Sequence, residues 1–329
     1  MHHRRHVLAA GLAAAAALPA PRLARAQPAA AVRQLSLVVP FPPGGGADAA
    51  ARVVAEALRG TFATVCIVEN RPGAAGRVGA EHVKRAPADG SVMLYTPAHP
   101  LVIFPHVYSR MPYDTLTDFV PVALTTRGVM AVAVGPAVPA AVRTLPDFVG
   151  WCRANPDKAT YGAPAGSAQH FAGAMLARGA GITLTLVPYS GGAPSVADLV
   201  GGHIAATVNP LSEVTPLAGT GELRILGTTG AQRSRFLPEV PTLAESGIRD
   251  VLFQDWVGIV APAGTPAALV NRANAVINAF LVSPRAAEAF ERFGIEPDPQ
   301  TPERFAAAVR ADWERYREIV RSTGFRAED

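Results

Sequence analysis

Leu35-Ser36-Leu37-Val38-Val39-Pro40-Phe41-Pro42-Pro43-Gly44-Gly45-Gly46-Ala47-Asp48 reads as an apolar strand, a stiff proline turn, three glycines and a helix opened by an acid. A strand that feeds such a turn into a helix leaves unpaired N–H groups at the positive end of the helix dipole. Glycines let a ligand approach that backbone, so the loop can hold a carboxylate or phosphate without a charged side chain. A nucleotide reading fails on spacing. The triplet is followed by Ala47, Asp48 and Ala49, which fits neither G-x-G-x-x-G nor the Gly-Lys-Ser/Thr of a P-loop. Asp48 would also repel a phosphate there. Two readings stay open for it: a first-turn acid paired with Arg52 one turn on, or a ligand contact.

Outward from this loop, strand-like and helix-like runs alternate. Strands are expected at 35–39, 64–68, 92–96, 129–134, 183–187, 204–208, 223–227 and 257–261. Helices are expected at 47–58, 75–85, 145–154, 168–177 and 194–200, and after Pro262 at 266–281, 284–293 and 302–320. Near-continuous apolar strands alternating with helices argue for an α/β fold with parallel sheets. Two more turns repeat the opening design. Tyr161-Gly162-Ala163-Pro164-Ala165-Gly166-Ser167-Ala168-Gln169-His170 has Ser167 placed as an N-cap. Pro188-Tyr189-Ser190-Gly191-Gly192-Ala193-Pro194 has a proline at the start of its helix. Open α/β sheets bind ligands outside the carboxyl ends of their strands, so several such turns could surround one small anion.

With 329 residues the chain is long enough for two domains. Arg4 and Arg5, the twelve-residue apolar run Val7 to Leu18 and the small-residue site Ala24-Arg25-Ala26 describe a signal peptide over 1–26. The paired arginines leave Sec and twin-arginine export both open. Beyond it no apolar run is long enough to span a bilayer. The leader holds Arg4, Arg5, Arg22 and Arg25; 30 basic residues less these four leaves 26, against 26 acids. The expected mature net charge is therefore zero, and nothing argues for nucleic acid as a partner. Cys66 and Cys152 are far apart and read as small buried apolar residues rather than a disulfide framework. His82, His99, His106, His170 and His203 are scattered, without metal-ligand spacing; no metal or cofactor is expected.

Catalytic chemistry finds little support. Gly166-Ser167-Ala168-Gln169 lacks the closing glycine of a nucleophile elbow, and Ser167 with His170 is no triad. The cysteines lack the turn contexts that expose reactive thiols, so a racemase acting on small acids is only an alternative. Thr96 ends the third strand and His99 follows it, so both could reach the same ligand. Phe253 and Trp256 read as core or as the wall of a cleft.

The motifs together resemble the substrate-binding proteins of tripartite tricarboxylate transporters, the Bug family. The likeness runs from Pro40–Asp48 through Val68-Glu69-Asn70-Arg71-Pro72-Gly73-Ala74-Ala75-Gly76, Ala86-Pro87-Ala88-Asp89-Gly90 and Met111-Pro112-Tyr113-Asp114. It continues in Tyr189–Pro194, Asp198–Gly202, Leu237–Glu245 and Ala261–Pro266, in the family's order over about 34–325. The resemblance implies a periplasmic, two-lobed Venus-flytrap protein of the type II kind, with a ligand cleft between its lobes. One lobe would be 27–128 plus 248–329, the other 129–247. It implies capture of a small di- or tricarboxylate or related organic acid, and a large and a small membrane subunit as partners. The expected form is a monomer without catalysis; a ligand sensor for a membrane receptor is the other reading. The expected ligand-binding residues are Phe41, Pro42, Gly44, Gly45, Gly46, Ala47, Asp48, Thr96, His99, Gly166, Ser167, His170 and Asn209.

Three departures bear on the ligand. Ala47 stands where many members have Ser or Thr, and Ala174 where an acid is common. Asn209 in Val208-Asn209-Pro210 stands where many have an aspartate. Loss of that charge makes a ligand ammonium harder to hold. A carboxylate without an amino group is therefore expected.

Overall fold

The computed structural model describes residues 32–327 except 45, 250, 252, 292 and 293. The expected signal peptide lies outside the described residues. The described residues form ten strands: β1 Val32–Val39, β2 Ala63–Asn70, β3 Val92–Pro97, β4 Phe119–Val134, β5 Thr160–Ala163, β6 Thr185–Pro188, β7 Ala206–Pro210, β8 Arg224–Thr228, β9 Gln254–Pro262 and β10 Glu296–Pro297. Helices α1 Gly46–Leu58, α2 Arg77–Lys84, α3 His99–Val102, α4 Phe104–Val107, α5 Thr115–Asp118 and α6 Leu145–Ala154 lie in the first half. They are followed by α7 Ala168–Ala180, α8 Gly192–Val200, α9 Leu211–Ala218, α10 Ala267–Leu281, α11 Pro284–Glu291 and α12 Pro302–Thr323. No described helix is long and apolar enough to cross a membrane.

Local chemistry accounts for these boundaries. In α1 the buried Ala50, Ala51, Val54, Ala55 and Leu58 recur at helical spacing and form one apolar face. Helix α6 opens on a capping box: Thr144 Oγ1 accepts from the Asp147 N–H, and Asp147 accepts from the Thr144 N–H in return. Thr301 caps α12, and Gly324 ends that helix in the left-handed conformation. Cys66 and Cys152 are buried and unpaired, and burial pushes their thiols up to about 11 and about 12.

The strands run in the order β2-β1-β3-β9-β4-β7-β5-β6, with β8 and β10 also pairing β4. β1, β2 and β3 are parallel, as are β5, β6 and β7. The expected parallel pairing holds within these two sets but not between them. β9 runs antiparallel to β3 and β4, and β4 antiparallel to β7 and β8. Buried on both sides, β4 and β9 carry the same apolar runs that parallel strands do, so composition cannot reveal their direction. β4 also begins at Phe119, ten residues before the expected Val129. Its first half pairs β9, with register shifts near Pro121 and Leu124, and its last five residues pair β7.

That register decides where the strand ends meet. Pro97, at the carboxyl end of β3, sits opposite Val257 of β9, which in turn sits opposite Thr126 of β4. Pro210, at the carboxyl end of β7, sits opposite Met130 of β4. Four residues of one strand, about 13 Å, separate the two rows. The carboxyl ends of both parallel sets therefore converge on the middle of β4.

One segment beside the opening loop is strained. Ala74 and Ala75 have φ of 45° and 55°, between Gly73 and Gly76, which are also left-handed. Both alanines are exposed, so glycine at either removes the Cβ penalty without leaving a hole. Ala75→Gly is expected to stabilise the protein by about 1 kcal/mol. Urea denaturation reads this directly, and a loss of stability would contradict the backbone geometry.

Candidate functional site

The β1–α1 turn is organised around Asp48. Its side chain is buried, and Oδ2 accepts from the Gly44 N–H and from Arg52 Nε, both at 3.0 Å. Oδ1 accepts from Arg52 Nη2 and Asn70 Nδ2, both at 2.9 Å. Asn70 Nδ2 also reaches the Phe41 carbonyl at 3.1 Å, tying the end of β2 to the turn. Burial raises the Asp48 carboxyl, but the bonds from Arg52, Gly44 and Asn70 outweigh it and hold the group below the usual carboxylate range. The anticipated pairing of Asp48 with Arg52 is present, and the acid is fully engaged inside the loop.

The donors of this turn follow from that arrangement. The Gly44 N–H serves Asp48, whereas the first-turn N–H groups of Gly46, Ala47 and Asp48 have no intrahelical acceptor. Gly44 and Gly46 are exposed, as is Pro42; Phe41 and Ala47 are half-buried, and Gly45 lies outside the described residues. Phe41 faces His99 with ring centroids 5.7 Å apart, and Phe104 closes on the other side of His99 at 5.3 Å. Burial lowers His99 to about 4, so at neutral pH it offers hydrogen bonds but no charge. Thr96 is fully buried one strand end away, its hydroxyl donating to the Pro97 carbonyl at 3.1 Å.

The β5–α7 turn forms a second group. Ser167 is the N-cap: its Oγ accepts from the His170 N–H and donates to the Pro164 carbonyl at 2.6 Å. His170 Nδ1 accepts from the Gly166 N–H at 3.2 Å, closing the turn from its other side. Gly166 has φ of 76°, which a side chain would strain, and a Cβ there would meet Phe325 and Val107 at 3.4 and 3.5 Å. Phe325 also meets the His170 ring edge-on at 4.6 Å. The segment after α12 thus shapes this turn. Burial lowers His170 to about 4 as well.

Asn209, at the end of β7, is fully buried. Its Nδ2 donates to Thr207 Oγ1 at 2.9 Å and Ser195 Oγ at 3.1 Å, and Thr207 donates to the Gly162 carbonyl of β5. The expected residues therefore assemble as a group around Asp48 and His99, a group around Ser167 and His170, and Asn209 on the strand beside the second. Among the described residues no hydrogen bond or ring contact joins the first group to the others; the convergence on β4 relates them.

Sequence reasoning passed over four participants. Asn70 appeared only within a family motif, although an asparagine at a strand end beside a glycine turn is a usable sign of side chain to backbone bonding. Phe325 gave no sign at all, because its role depends on where α12 ends. Asp255 of β9 lies beside the carboxyl end of β3 and accepts from the Trp256 N–H at 3.0 Å. Burial, with Asp312 nearby, pushes it up to about 7. Glu213, in the first turn of α9, is pushed up to about 7 by burial alone. Phe253 and Trp256 are core residues, and the Trp256 indole donates to Asp312 at 2.8 Å.

Residues 50–325 match the model of the tripartite tricarboxylate transporter family receptor. The chain belongs to that family. A UPF0065 protein in the tcbD-tcbE intergenic region of Pseudomonas sp. (strain P51) is 35% identical over 319 residues, covering 96% of this chain and 94% of that one. Among solved structures, R. palustris Rpa4515 with adipate has a TM-score of 0.81 at 32% identity, covering 89% of this chain and 97% of its own. The periplasmic binding protein BugD gives 0.78 at 29%, covering 90% and 99%. The family assignment carries the fold with it: an α/β periplasmic binding protein of the tricarboxylate-receptor type, the class the motifs implied.

Proposed function

We propose that this receptor-family chain is an exported solute-binding protein that captures a small carboxylate and delivers it to the large and small membrane subunits of a tripartite transporter. The observation that carries the reading is the convergence of both sets of strand carboxyl ends on the middle of β4. Residues 27–128 with 248–329 form one lobe and 129–247 the other, with the ligand between them. Gly46 and Ala47 offer N–H groups from the first lobe, and Gly166 and Ser167 close from the second. His99, His170 and Asn209 supply neutral polar contacts, and the protein works as a monomer in the periplasm after cleavage behind Ala26. Similarity to an adipate-bound relative supports an aliphatic acid as ligand.

Both the ligand and its fate are testable. Mass spectrometry of the small molecules released by denaturing the purified protein is expected to show an unmodified organic acid. Small-angle scattering with that acid is expected to show compaction, since closure of two lobes shortens the molecule. Conversion of the acid on prolonged incubation would instead support an enzyme, and an unchanged radius would argue against lobe closure.

A further inference from the structure

The last turns of α12 and the residues after them enclose, against α4, a cavity of about 330 Å³. Pro105, Val320 and Phe325 give it apolar walls, and the exposed Arg317, Arg321 and Arg326 border it. Arg317, Val320 and Arg321 recur at helical spacing and so share one face of α12. None of the expected ligand-binding residues lines this cavity.

The charge around it is one-sided. Between 316 and 327 the chain has three arginines and one acid, Glu318. Glu318 is shared, at 2.7 Å from Arg321 and 3.6 Å from Arg317, and Arg326 has no acid partner among the described residues. Three positive charges less one leave an excess of two, in a protein whose expected mature charge is zero. The negative end of the α12 dipole accounts for Arg321 alone, which lies in the last turn. Arg317 stands a turn earlier, and Arg326 lies beyond Gly324, where the helix ends. His106 also lines the cavity. Burial and the Arg317 charge hold its imidazole below the usual value, against the Nε2 bond to the Trp313 carbonyl at 2.8 Å. The ring is uncharged at neutral pH, so the arginines alone supply the charge.

We propose that this cavity is a second binding site, for a small organic anion that joins one carboxylate to a short apolar body. Guanidinium forks present paired donors to a planar carboxylate. The apolar walls take the body, and the volume falls within the range of roughly 300–1,000 Å³ typical of small-molecule sites. Phe325 places the site in the fold, because the ring that walls the cavity also meets His170 of the β5–α7 turn at 4.6 Å. The site is independent of the solute-binding reading above, since it needs neither a cleft nor lobe closure.

NMR titration of the whole mature protein with benzoate, benzyl alcohol and inorganic phosphate tests this. Benzoate carries both the anionic head and the apolar body, and each of the others lacks one of them. Benzoate is expected to bind about tenfold or more tightly than either. Arg321→Ala combined with Arg326→Ala should weaken benzoate by about tenfold or more, and lysine at both positions should restore only part of the loss, because the charge returns without the fork. In the wild-type protein, bound benzoate should show nuclear Overhauser contacts to the His106 and Phe325 rings. That readout needs no variant, so it decides the matter even if the double variant fails to fold. Absence of those contacts, or unchanged benzoate affinity in the double variant, places benzoate elsewhere and overturns the proposal. Equal binding of benzyl alcohol or phosphate, or no binding of benzoate at all, overturns it too.

Discussion

Asp48→Ala is expected to lower stability by about 2–4 kcal/mol and to abolish ligand capture. The ion pair with Arg52 contributes little of this, because the Arg52 side chain is 53% exposed and water screens it. Most comes from the donors left behind. The Gly44 N–H and Asn70 Nδ2 lose a buried, charged acceptor, and Asn70 is also the tie between β2 and the Phe41 carbonyl. With that tie weakened, the turn no longer holds the first N–H groups of α1 in place. Arg52→Ala is the matched control and should cost less than about 1 kcal/mol. Urea denaturation of both variants, with calorimetric titration of the ligand, separates the contributions. Equal losses for the two variants would show that the ion pair, and not the loop, is what Asp48 supports.

Asp255→Asn is expected to raise stability at pH 8 by about 2–3 kcal/mol while changing it little near pH 4. The folded-state value is raised from 3.8 to about 7, chiefly by burial, so the stabilising form is the protonated one. Its contribution is complete below about 4 and is lost as pH rises to about 7. Asn keeps an acceptor for the Trp256 N–H and needs no proton, so the variant escapes the loss. Partial exposure of Asp255 is the reason for taking less than the full shift. His99 and His170 act in the opposite sense. Their folded values are lowered from 6.5 to about 4 by burial, so their contribution is present above 6.5 and disappears as pH falls. In the wild-type protein these slopes oppose each other between about 4 and 7, which flattens its profile. Removing Asp255 leaves the slope of the two histidines opposed only by Glu213, so the variant should gain stability, relative to the wild-type protein, as pH rises through that window. Denaturation at several pH values measures this, and a variant curve parallel to the wild-type curve would exclude Asp255 as the titrating group.

Much of the local structure of the candidate site was legible before any tertiary information. Pro40 through Asp48 announced a glycine turn before a helix, and the Asp48–Arg52 spacing announced the pair that organises it. Ser167 was placed as a cap because capping is chemistry between neighbours three residues apart. Helices with one apolar face were equally plain, Leu145–Ala154 being found at its full extent. Local rules reached these features because the interacting atoms are close along the chain.

The remainder depended on distance. β4 and β9 read as ordinary buried strands, and nothing in their composition shows that they run against their neighbours. Asp255 and Glu213 look like unremarked acids in sequence, and only burial in the folded chain perturbs them, with Asp312 adding to the effect on Asp255. Sequence by itself determined which turns could bind an anion, since helix termini, caps and glycine backbone freedom are local properties. Tertiary structure alone decided that the strands carrying those turns end opposite the middle of β4, and that Asp255 and Glu213 are desolvated near it. Strand pairing and desolvation are set by residues distant in the chain, such as Met130 with Pro210 and Thr126 with Val257, and no local pattern encodes them.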